Sequence, residues 1–233
     1  MIHSYISIDL ETTGLNPRRD RITEIGAVKV IDGTVTGTYA TLVNPGRKLD
    51  PRITALTGIR DEELEGAPTI GKVLPELLAF LGELPLLGHS VRFDFSFLKK
   101  AAVDQRRDFQ KTAVDTLLIA RKYLPQLEHR SLDYLCVYYG IPHQAHRALE
   151  DAVATEALYQ RLTEEFGGAG DPVFEPVEQV FRVKRDTPAT RPQKEKLYLL
   201  AGRHKIELGV DVEQLTRSEA SRMTDKILAR FGR

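Results

Sequence analysis

The chain has 233 residues, of which 42% are hydrophobic, and its 33 Lys and Arg residues balance its 33 Asp and Glu residues. This length allows one large domain or a medium domain with a small one, and the charge balance gives no gross basic excess. A single cysteine, Cys136, excludes an intramolecular disulfide and a cysteine-based zinc site. No apolar run approaches the ~18 residues of a membrane span and no secretory pattern follows His3, so we expect a cytoplasmic protein with no membrane partner.

The first predicted element is a strand from Ser4 to Leu10 that ends in two acidic residues. Side chains in a strand alternate between faces, so Asp9 and Glu11 project from the same face a few ångströms apart. Two carboxylates held this close repel unless one is protonated or a cation lies between them, and Mg²⁺ or Mn²⁺ suits such oxygen ligands. The simpler alternative is a solvated Asp-x-Glu at a strand end.

Two further strands and a series of helices follow. Residues 22–31 and 35–43 are β-prone and flank the dipeptide Asp32-Gly33, which is typical of a hairpin turn. Helical spacing predicts helices over 53–59 and 69–81, with a short buried strand at 84–88 and a helix capped by Ser90 after it. Amphipathic segments at 114–123 and 131–139 and a long helix at about 148–166 complete an α/β domain with a mixed sheet.

Glycine and proline mark a break after the long helix. The run Gly167-Gly168-Ala169-Gly170-Asp171-Pro172 predicts a linker of low order. We therefore divide the chain into a first domain at 1–167, a linker at 168–175 and a small, mainly helical C-terminal domain at 176–233. Residues 1–167 carry 20 basic and 23 acidic side chains, whereas 168–233 carry 13 and 10, so the C-terminal domain is the cationic part.

Three more residues are candidates for the same site as Asp9 and Glu11. His146 and Asp151 are five positions apart, which on one continuous helix would separate them by about 140°. They converge only if His146 lies in the loop before the helix and Asp151 lies one turn into it, and the Gly and Pro in the stretch 140–145 permit this. Asp94, which lies between aromatic residues in the segment 88–98, supplies a fourth carboxylate. Taken singly, each would more often be a surface residue.

With these residues in order, the chain resembles the His-containing branch of the DnaQ-like (DEDD) 3′–5′ exonuclease family. Three segments carry the resemblance: Asp9-Leu-Glu11-Thr-Thr-Gly, Gly88-His-Ser-Val-Arg-Phe-Asp94-Phe, and His146-Arg-Ala-Leu-Glu-Asp151-Ala. Residues 42–46, 56–59 and 66–68 resemble the proofreading type, as in the editing subunit of the bacterial replicative polymerase or PolC-type exonuclease domains. One departure is visible, because the family usually has Asn where Ser90 stands.

This resemblance, which covers about residues 3–166, implies a ribonuclease H-like fold with a mixed five-stranded sheet flanked by helices. It also implies two divalent ions, Mg²⁺ or Mn²⁺, with Asp9 bridging both, Glu11 and Asp151 on the ion that carries the attacking water, and Asp94 on the second. His146 would be the general base, and a histidine must be neutral to take a proton.

The resemblance further implies how a 3′ end would be held. Backbone around Thr12 and Thr13 would hydrogen-bond the terminal hydroxyl, Leu15 would wedge beside the last base, and Phe93 is a further stacking candidate. Core packing is an equally open explanation for Leu15 and Phe93. The expected substrate is DNA with a single-stranded or frayed 3′ end, and a DNA polymerase or another replication or repair protein is a candidate partner.

The C-terminal domain carries a basic stretch that could follow phosphates or could be an ordinary solvated face. Its cationic residues are Arg182, Lys184, Arg185, Arg191, Lys194, Lys196, Arg203 and Lys205.

Three functions remain open from the sequence. A 3′–5′ exodeoxyribonuclease that releases nucleoside 5′-monophosphates is the first. A 3′–5′ exoribonuclease is the second, because the acidic residues do not distinguish a 2′ hydroxyl. A non-catalytic nucleic-acid-binding protein is the third, and the complete set of acidic residues disfavours it.

Overall fold

A computed structural model describes residues 1–167 and 170–232 of the chain. Its strands are β1 (Tyr5–Thr12), β2 (Ile22–Ile31), β3 (Thr34–Leu42), β4 (Leu86–Gly88), β5 (Thr112–Asp115) and β6 (Val177–Glu178). Its α-helices are α1 (Pro51–Thr57), α2 (Asp61–Glu65), α3 (Ile70–Leu81), α4 (Arg92–Asp104), α5 (Thr116–Tyr123), α6 (Leu132–Tyr139), α7 (Ala148–Phe166), α8 (Arg191–His204) and α9 (Arg217–Phe231). None of the helices in these two ranges has the length and apolar character needed to cross a bilayer.

The sheet has the strand order β3-β2-β1-β4-β5-β6, with β1 near its centre. Strands β1, β2 and β3 form an antiparallel meander, while β4 runs parallel to both β1 and β5. The turn between β2 and β3 contains Asp32 and Gly33, both at positive φ, as the Asp-Gly signal predicts. This mixed sheet with flanking helices confirms the predicted α/β class.

The sheet has six strands within the described residues rather than the predicted five. The sixth, β6, is only two residues long and pairs antiparallel with β5. Strand β5 itself occupies the start of a stretch predicted to be a single amphipathic segment, and helix α5 begins only at Thr116. Elements of two to four residues are too short for a recognisable alternation, because they contain only one or two periods of a strand.

Alternation along β1 divides the core into two layers. Ile6, Ile8 and Leu10 pack into the cluster that includes α3 and α4, whereas Tyr5 packs with α7 on the opposite face. Ser7, which shares the face of Tyr5, donates its hydroxyl to the carbonyl of Ala152 in α7 at 2.7 Å. Asp9 and Glu11 follow in the same alternation, so β1 directs both carboxylates towards the side of the sheet that α7 covers.

A glycine in β2 allows α7 to begin against the sheet. A Cβ built on Gly26 would lie 2.1 Å from the backbone carbon of Ala148 and from the backbone nitrogen of Leu149. Because both contacts are backbone atoms of the first turn of α7, neither can move aside without displacing the helix. Gly26 therefore fixes how closely the start of α7 approaches β1 and β2.

We expect Gly26→Ala to lower the melting temperature by about 6 °C or more. Overpacking against backbone that cannot move aside costs about 3 kcal/mol or more, and each kcal/mol corresponds to about 2–4 °C for a protein of this size. Gly37→Ala in β3 is the matched control, because its added Cβ would have an ordinary contact of 3.7 Å with Phe80. Thermal unfolding by circular dichroism measures both variants, and a Gly26→Ala protein as stable as Gly37→Ala would contradict the close approach.

The predicted linker is largely packed where the structure describes it. Gly168 and Ala169 lie outside the described residues, but Phe174 is buried in the core beside Tyr123 and Tyr159. Asp171 accepts from Lys122 and Tyr123 at the end of α5. Since β6 also joins the main sheet, residues up to 178 belong structurally with the first domain. That residues 176–233 form a separate domain stays a prediction.

Helices α8 and α9 build a third, smaller core. Both helices start with capping boxes, at Thr190 with Gln193 and at Thr216 with Glu219. The buried side chains of this core are Ala189, Leu197, Leu200, Val212, Leu215, Ala220 and Ile227.

Buried ion pairs fix this C-terminal unit to the first domain. Glu219 accepts from Arg21, at 2.7 Å, and from Arg47. Lys100 in α4 is paired with Asp186 at 2.7 Å and with Asp104. Glu219 and Lys100 are buried charges that each rely on two partners for compensation, and Arg21, Arg47 and Asp186 are partners from the other part of the chain. These contacts therefore hold the two parts of the chain in one arrangement.

Candidate active site

Asp9 and Glu11 lie at the carboxyl end of β1, where the strand leaves the sheet. In the antiparallel register they stand opposite Gly26 and Glu24 of β2, and an irregularity between Glu11 and Thr12 ends the regular pairing. The lack of a side chain at Gly26 leaves room for the first turn of α7 above Asp9. The end of β1 and the start of α7 thus lie close together.

His146 and Asp151 converge as the sequence requires. Asp151 lies in the first turn of α7, and His146 lies before the helix with φ 67°, in the left-handed region. The backbone N–H of His146 donates to Oδ2 of Asp151 at 3.0 Å, which bends the loop back onto the helix. Ligand atoms of Glu11, His146 and Asp151 all lie within 4.8 Å of one another.

The N-terminus of helix α7 is capped by a side chain from strand β2. Arg147 occupies the N-cap position but makes no side-chain capping bond. Instead, buried Glu24 of β2 accepts from the N–H of Ala148 at 3.1 Å and from the guanidinium of Arg147 at 2.9 Å. A carboxylate at a helix N-terminus is favourable because the terminal N–H groups carry partial positive charge. Glu24 therefore anchors the loop that carries His146.

Asp94 is a buried residue in the first turn of α4, with only 3% of its surface exposed. The prediction that Ser90 caps this helix is wrong, because Val91 is the N-cap and Ser90 has φ 75°. Ser90 instead donates its backbone N–H to Asp115 at 3.0 Å, and this contact ties the turn to the end of β5. An N-cap residue normally has an extended backbone, so Ser90, whose backbone is left-handed, cannot serve as an ordinary N-cap.

The four carboxyl groups have raised pKa values. Burial, followed by the charges of Asp94, Asp151 and Glu11, raises the pKa of Asp9 well above its usual range. Burial also raises the pKa of Asp94, against hydrogen bonds from backbone N–H groups. Burial and the neighbouring Asp151 and Glu24 raise the pKa of Glu11 to about 7. Burial raises that of Asp151 as well, although His143 opposes the shift. Mutually repelling buried carboxylates are the environment that a multivalent cation relieves.

His143 is a second histidine of the site, which the sequence interpretation missed. Its side chain is only 6% exposed and lies between two carboxylates. Nε2 contacts Oδ1 of Asp151, and Nδ1 lies 3.0 Å from Oδ1 of Asp133 in α6. Its position three residues before His146, in the same Gly- and Pro-containing loop, was the available signal. With His143 on Oδ1 and the N–H of His146 on Oδ2, both oxygens of Asp151 are oriented by protein groups.

The predicted substrate-contacting residues lie around the loop that follows β1. The hydroxyl of Thr12 donates to the carbonyl of Gly14 at 2.7 Å. The N–H of Thr13 donates to the carbonyl of Arg21 at 2.8 Å, so the fold already uses that donor. Leu15 is 85% exposed, so core packing does not account for it. Phe93 is half-buried, with its ring 4.9 Å from that of Phe97 and packed against the first core.

The sequence of this chain is similar to those of known exonucleases and DNA polymerase III proteins. A family profile described as Exonuclease matches residues 6–159. The DNA polymerase III subunit epsilon of Aquifex aeolicus is 37% identical over 173 residues, which cover 72% of this chain and 86% of that protein. The PolC-type DNA polymerase III of Clostridium perfringens is 36% identical over 166 residues, covering 69% of this chain and 12% of the much longer relative.

A solved structure has the same fold. Exonuclease X in complex with 5′ overhanging duplex DNA superposes with a TM-score of 0.60 at 26% identity, covering 73% of this chain and 97% of that one. The family match, over residues 6–159, includes the strand with Asp9 and Glu11, the helix with Asp94 and the first turn of α7. Helices α8 and α9 lie outside the family match.

Proposed function

The chain belongs to the exonuclease family, and from that premise we propose that it hydrolyses DNA from the 3′ end and releases nucleoside 5′-monophosphates. The observation that carries the proposal is the convergence of Glu11, His146 and Asp151 within 4.8 Å in a pocket where Asp9 adds a further carboxylate. The Aquifex and Clostridium relatives are named as parts of DNA polymerase III, which favours DNA over RNA as the substrate.

We propose that Asp9, Glu11, Asp94 and Asp151 hold two divalent ions, Mg²⁺ or Mn²⁺. The residues fit this role, because they supply only oxygen ligands, and burial together with the neighbouring carboxylates raises the pKa values of these groups. When bound, such ions neutralise the phosphodiester and lower the pKa of the attacking water. Oxygen ligands of this kind also disfavour softer metals, which prefer cysteine.

His146 is the general base of the proposed reaction. A ring nitrogen of His146 lies within 4.8 Å of carboxylate oxygens of Glu11 and Asp151, and its backbone N–H donates to Asp151. The backbone therefore sets where the ring stands, and the ring is left to accept the proton of the attacking water. The water oxygen bonds to phosphorus while the bond from phosphorus to the 3′ oxygen of the preceding nucleotide breaks. That oxygen takes a proton from solvent and becomes the new 3′ hydroxyl of the shortened strand, and the proton of the water leaves with the imidazole.

The loop after β1 forms the entrance for a 3′ terminus. Leu15 is an exposed apolar side chain four residues after Glu11 in the chain, and its role is to contact the last base. Phe93, in the turn of α4 that carries Asp94, is the second stacking candidate. A pocket that admits one free end explains removal of terminal nucleotides rather than internal cutting.

His143 gives a prediction about metal affinity. We expect His143→Ala to raise the metal concentration needed for half-maximal rate by about 10–100-fold, because residues that orient a metal ligand have effects of this size. The rate at saturating metal should recover most of its wild-type value. Titration of Mg²⁺ and of Mn²⁺ against initial rate measures this, with exposed His129→Ala as the matched control. A lower rate with unchanged half-saturation would assign His143 to the substrate instead.

Digestion of matched DNA and RNA oligonucleotides tests the proposed function. A 3′-labelled DNA strand should release labelled mononucleotide first, and a 5′-labelled strand should shorten stepwise, in Mg²⁺ or Mn²⁺ but not in chelator. Faster digestion of the RNA strand would make the protein an exoribonuclease. The absence of hydrolysis of either strand in both metals would reject the enzymatic proposal.

We further propose that the protein acts beside a DNA polymerase on mismatched or frayed termini. The support is the printed name of the Aquifex relative, a polymerase subunit that this chain covers over 86% of its length. Co-purification with purified polymerase, and faster digestion of a mismatched than of a paired 3′ terminus, are the two expected results. Equal rates on both termini would point to a free single strand as the substrate.

A further inference from the structure

A cavity of about 490 Å³ lies where the C-terminal unit meets the loop after β1. It is lined by basic side chains from both parts of the chain together with one serine. The residues that matter are Arg18, Lys100, Arg182, Lys184, Ser218 and Arg222.

The cationic groups of this cleft are mostly free of counter-charge. Lys100 is paired with Asp186, which also lines the cavity. Within residues 1–167 and 170–232, Arg18, Arg182, Lys184 and Arg222 form no ion pair with a carboxylate. The nearest buried acid of α9, Glu219, is already engaged by Arg21 and Arg47. Several unpaired cations around one cavity favour a polyanionic ligand.

Arg18 is held in position before any ligand binds. Its guanidinium donates to the carbonyl of Arg182 at 3.0 Å and lies 5.4 Å from the centre of the Phe181 ring. An arginine fixed by stacking and a backbone contact loses less freedom on binding a phosphate than one that is loose in solvent. Its remaining N–H groups are the donors that suit phosphate oxygens.

The cleft and the proposed active site share one loop. The loop between Thr13 and Arg21 is closed at its base by the 2.8 Å hydrogen bond between these residues, and it carries both Leu15 and Arg18. Arg18 lies six positions after Thr12, so their Cα atoms are at most about 20 Å apart. At the duplex rise of about 3.4 Å per nucleotide, this limit corresponds to about six nucleotides at most.

We propose that this cleft binds the phosphodiester backbone of the DNA strand a few nucleotides upstream of the 3′ end. The proposal rests on the proposed function, since it assigns the ligand of the cleft to the same substrate. The C-terminal unit supplies Arg182, Lys184 and Arg222 to this cleft, and the first domain supplies Arg18 and Lys100. A strand of 16 nucleotides should therefore gain more from the cleft than a strand of four.

The test compares binding by a cleft variant and a control variant of equal charge. The cleft variant is R182Q/K184Q/R222Q, and the control is R203Q/K205Q/R230Q, whose residues lie at the far ends of α8 and α9. Fluorescence anisotropy with 5′-labelled DNA of 4 and 16 nucleotides, in chelator, gives Kd between 50 and 200 mM salt. Thermal unfolding of both variants verifies that they fold.

We expect the cleft variant to bind the 16-mer at least about tenfold more weakly than wild type. Each phosphate contact contributes about 0.7 to the slope of log K against log salt for single strands, so the slope should fall by about 2. The control variant should bind like wild type, and the advantage of the 16-mer over the 4-mer should shrink only in the cleft variant.

Two results would overturn the proposal: wild-type affinity in a folded cleft variant, or an equal loss in the control variant. The proposed function has its own readout, which is hydrolysis of the 4-mer by the wild-type protein in Mg²⁺. If the 4-mer and the 16-mer both stay intact, the proposed function fails, whatever the binding data show.

Discussion

Asp9→Asn is expected to lower the rate of nucleotide release by about 10³-fold or more. The substitution keeps the size of the side chain but removes the charge at the centre of the carboxylate group, next to Asp94, Asp151 and Glu11. Charge stabilisation by a divalent ion is worth several kcal/mol in a transition state, and each 1.36 kcal/mol is a factor of about ten. Initial rates on a 3′-labelled oligonucleotide at saturating Mg²⁺ measure the loss.

The same substitution should stabilise the metal-free protein. A carboxyl group whose pKa is raised in the folded state keeps its proton longer than in the unfolded chain. Its contribution to stability is therefore lost as the pH rises from the ordinary value towards the folded value, which for Glu11 is about 7. Asn at position 9 removes one of the repelling charges, so the melting temperature in chelator should exceed that of wild type, and by more at pH 8 than at pH 5.

A control variant and two contrary outcomes test the expected rate and stability of Asp9→Asn. Asp108→Asn removes an exposed carboxylate from the surface and should change neither the rate nor the melting temperature appreciably. A less stable Asp9→Asn protein in chelator would show that Asp9 is a structural partner in the metal-free fold. Rapid hydrolysis by that variant would place the reaction outside this pocket.

His146→Asn is the second large effect we expect, with turnover lower by about 10²–10⁴-fold. Asparagine tolerates the left-handed backbone that His146 adopts, whereas most residues do not. The backbone N–H that holds Asp151 is retained, so the carboxylates should keep their arrangement. The variant thus removes the proton acceptor and leaves the rest of the pocket in place.

Binding measurements separate this role from a structural one. The half-saturating Mg²⁺ concentration and the Kd for a 16-nucleotide strand should stay within about threefold of wild type, while turnover falls. His146→Ala should lose as much turnover but also some stability, because alanine fits the left-handed region poorly. Near wild-type turnover in His146→Asn would reject the general-base role.

The sequence predicts those parts of the site that depend on local periodicity. Asp9 and Glu11 share a face because a strand has a period of two, and the loop position of His146 follows from the helical spacing to Asp151. The hairpin at Asp32-Gly33 likewise follows from a local signal. Each of these can be stated before any tertiary contact is known.

The missed features all depend on contacts between distant segments. His143 is buried because α6 brings Asp133 to it, and Glu24 caps α7 from 124 positions away. Nothing near Gly26 in the sequence indicates that the backbone of Ala148 touches it. Similarly, the backbone of Ser90 is left-handed because it reaches Asp115. Such requirements become visible only when the segments are placed together.

The two-residue strand β6 has a practical consequence for preparing shorter forms of the protein. A form that ended after α7 would leave the backbone N–H and C=O groups along one side of β5 unpaired. It would also lack the buried side chain of Phe174 and so leave a cavity in the core. An uncovered strand border of this kind invites pairing with another molecule, which leads to aggregation. Shortened versions should therefore extend to at least Gln179, whose N–H closes the border by donating to the carbonyl of Lys111.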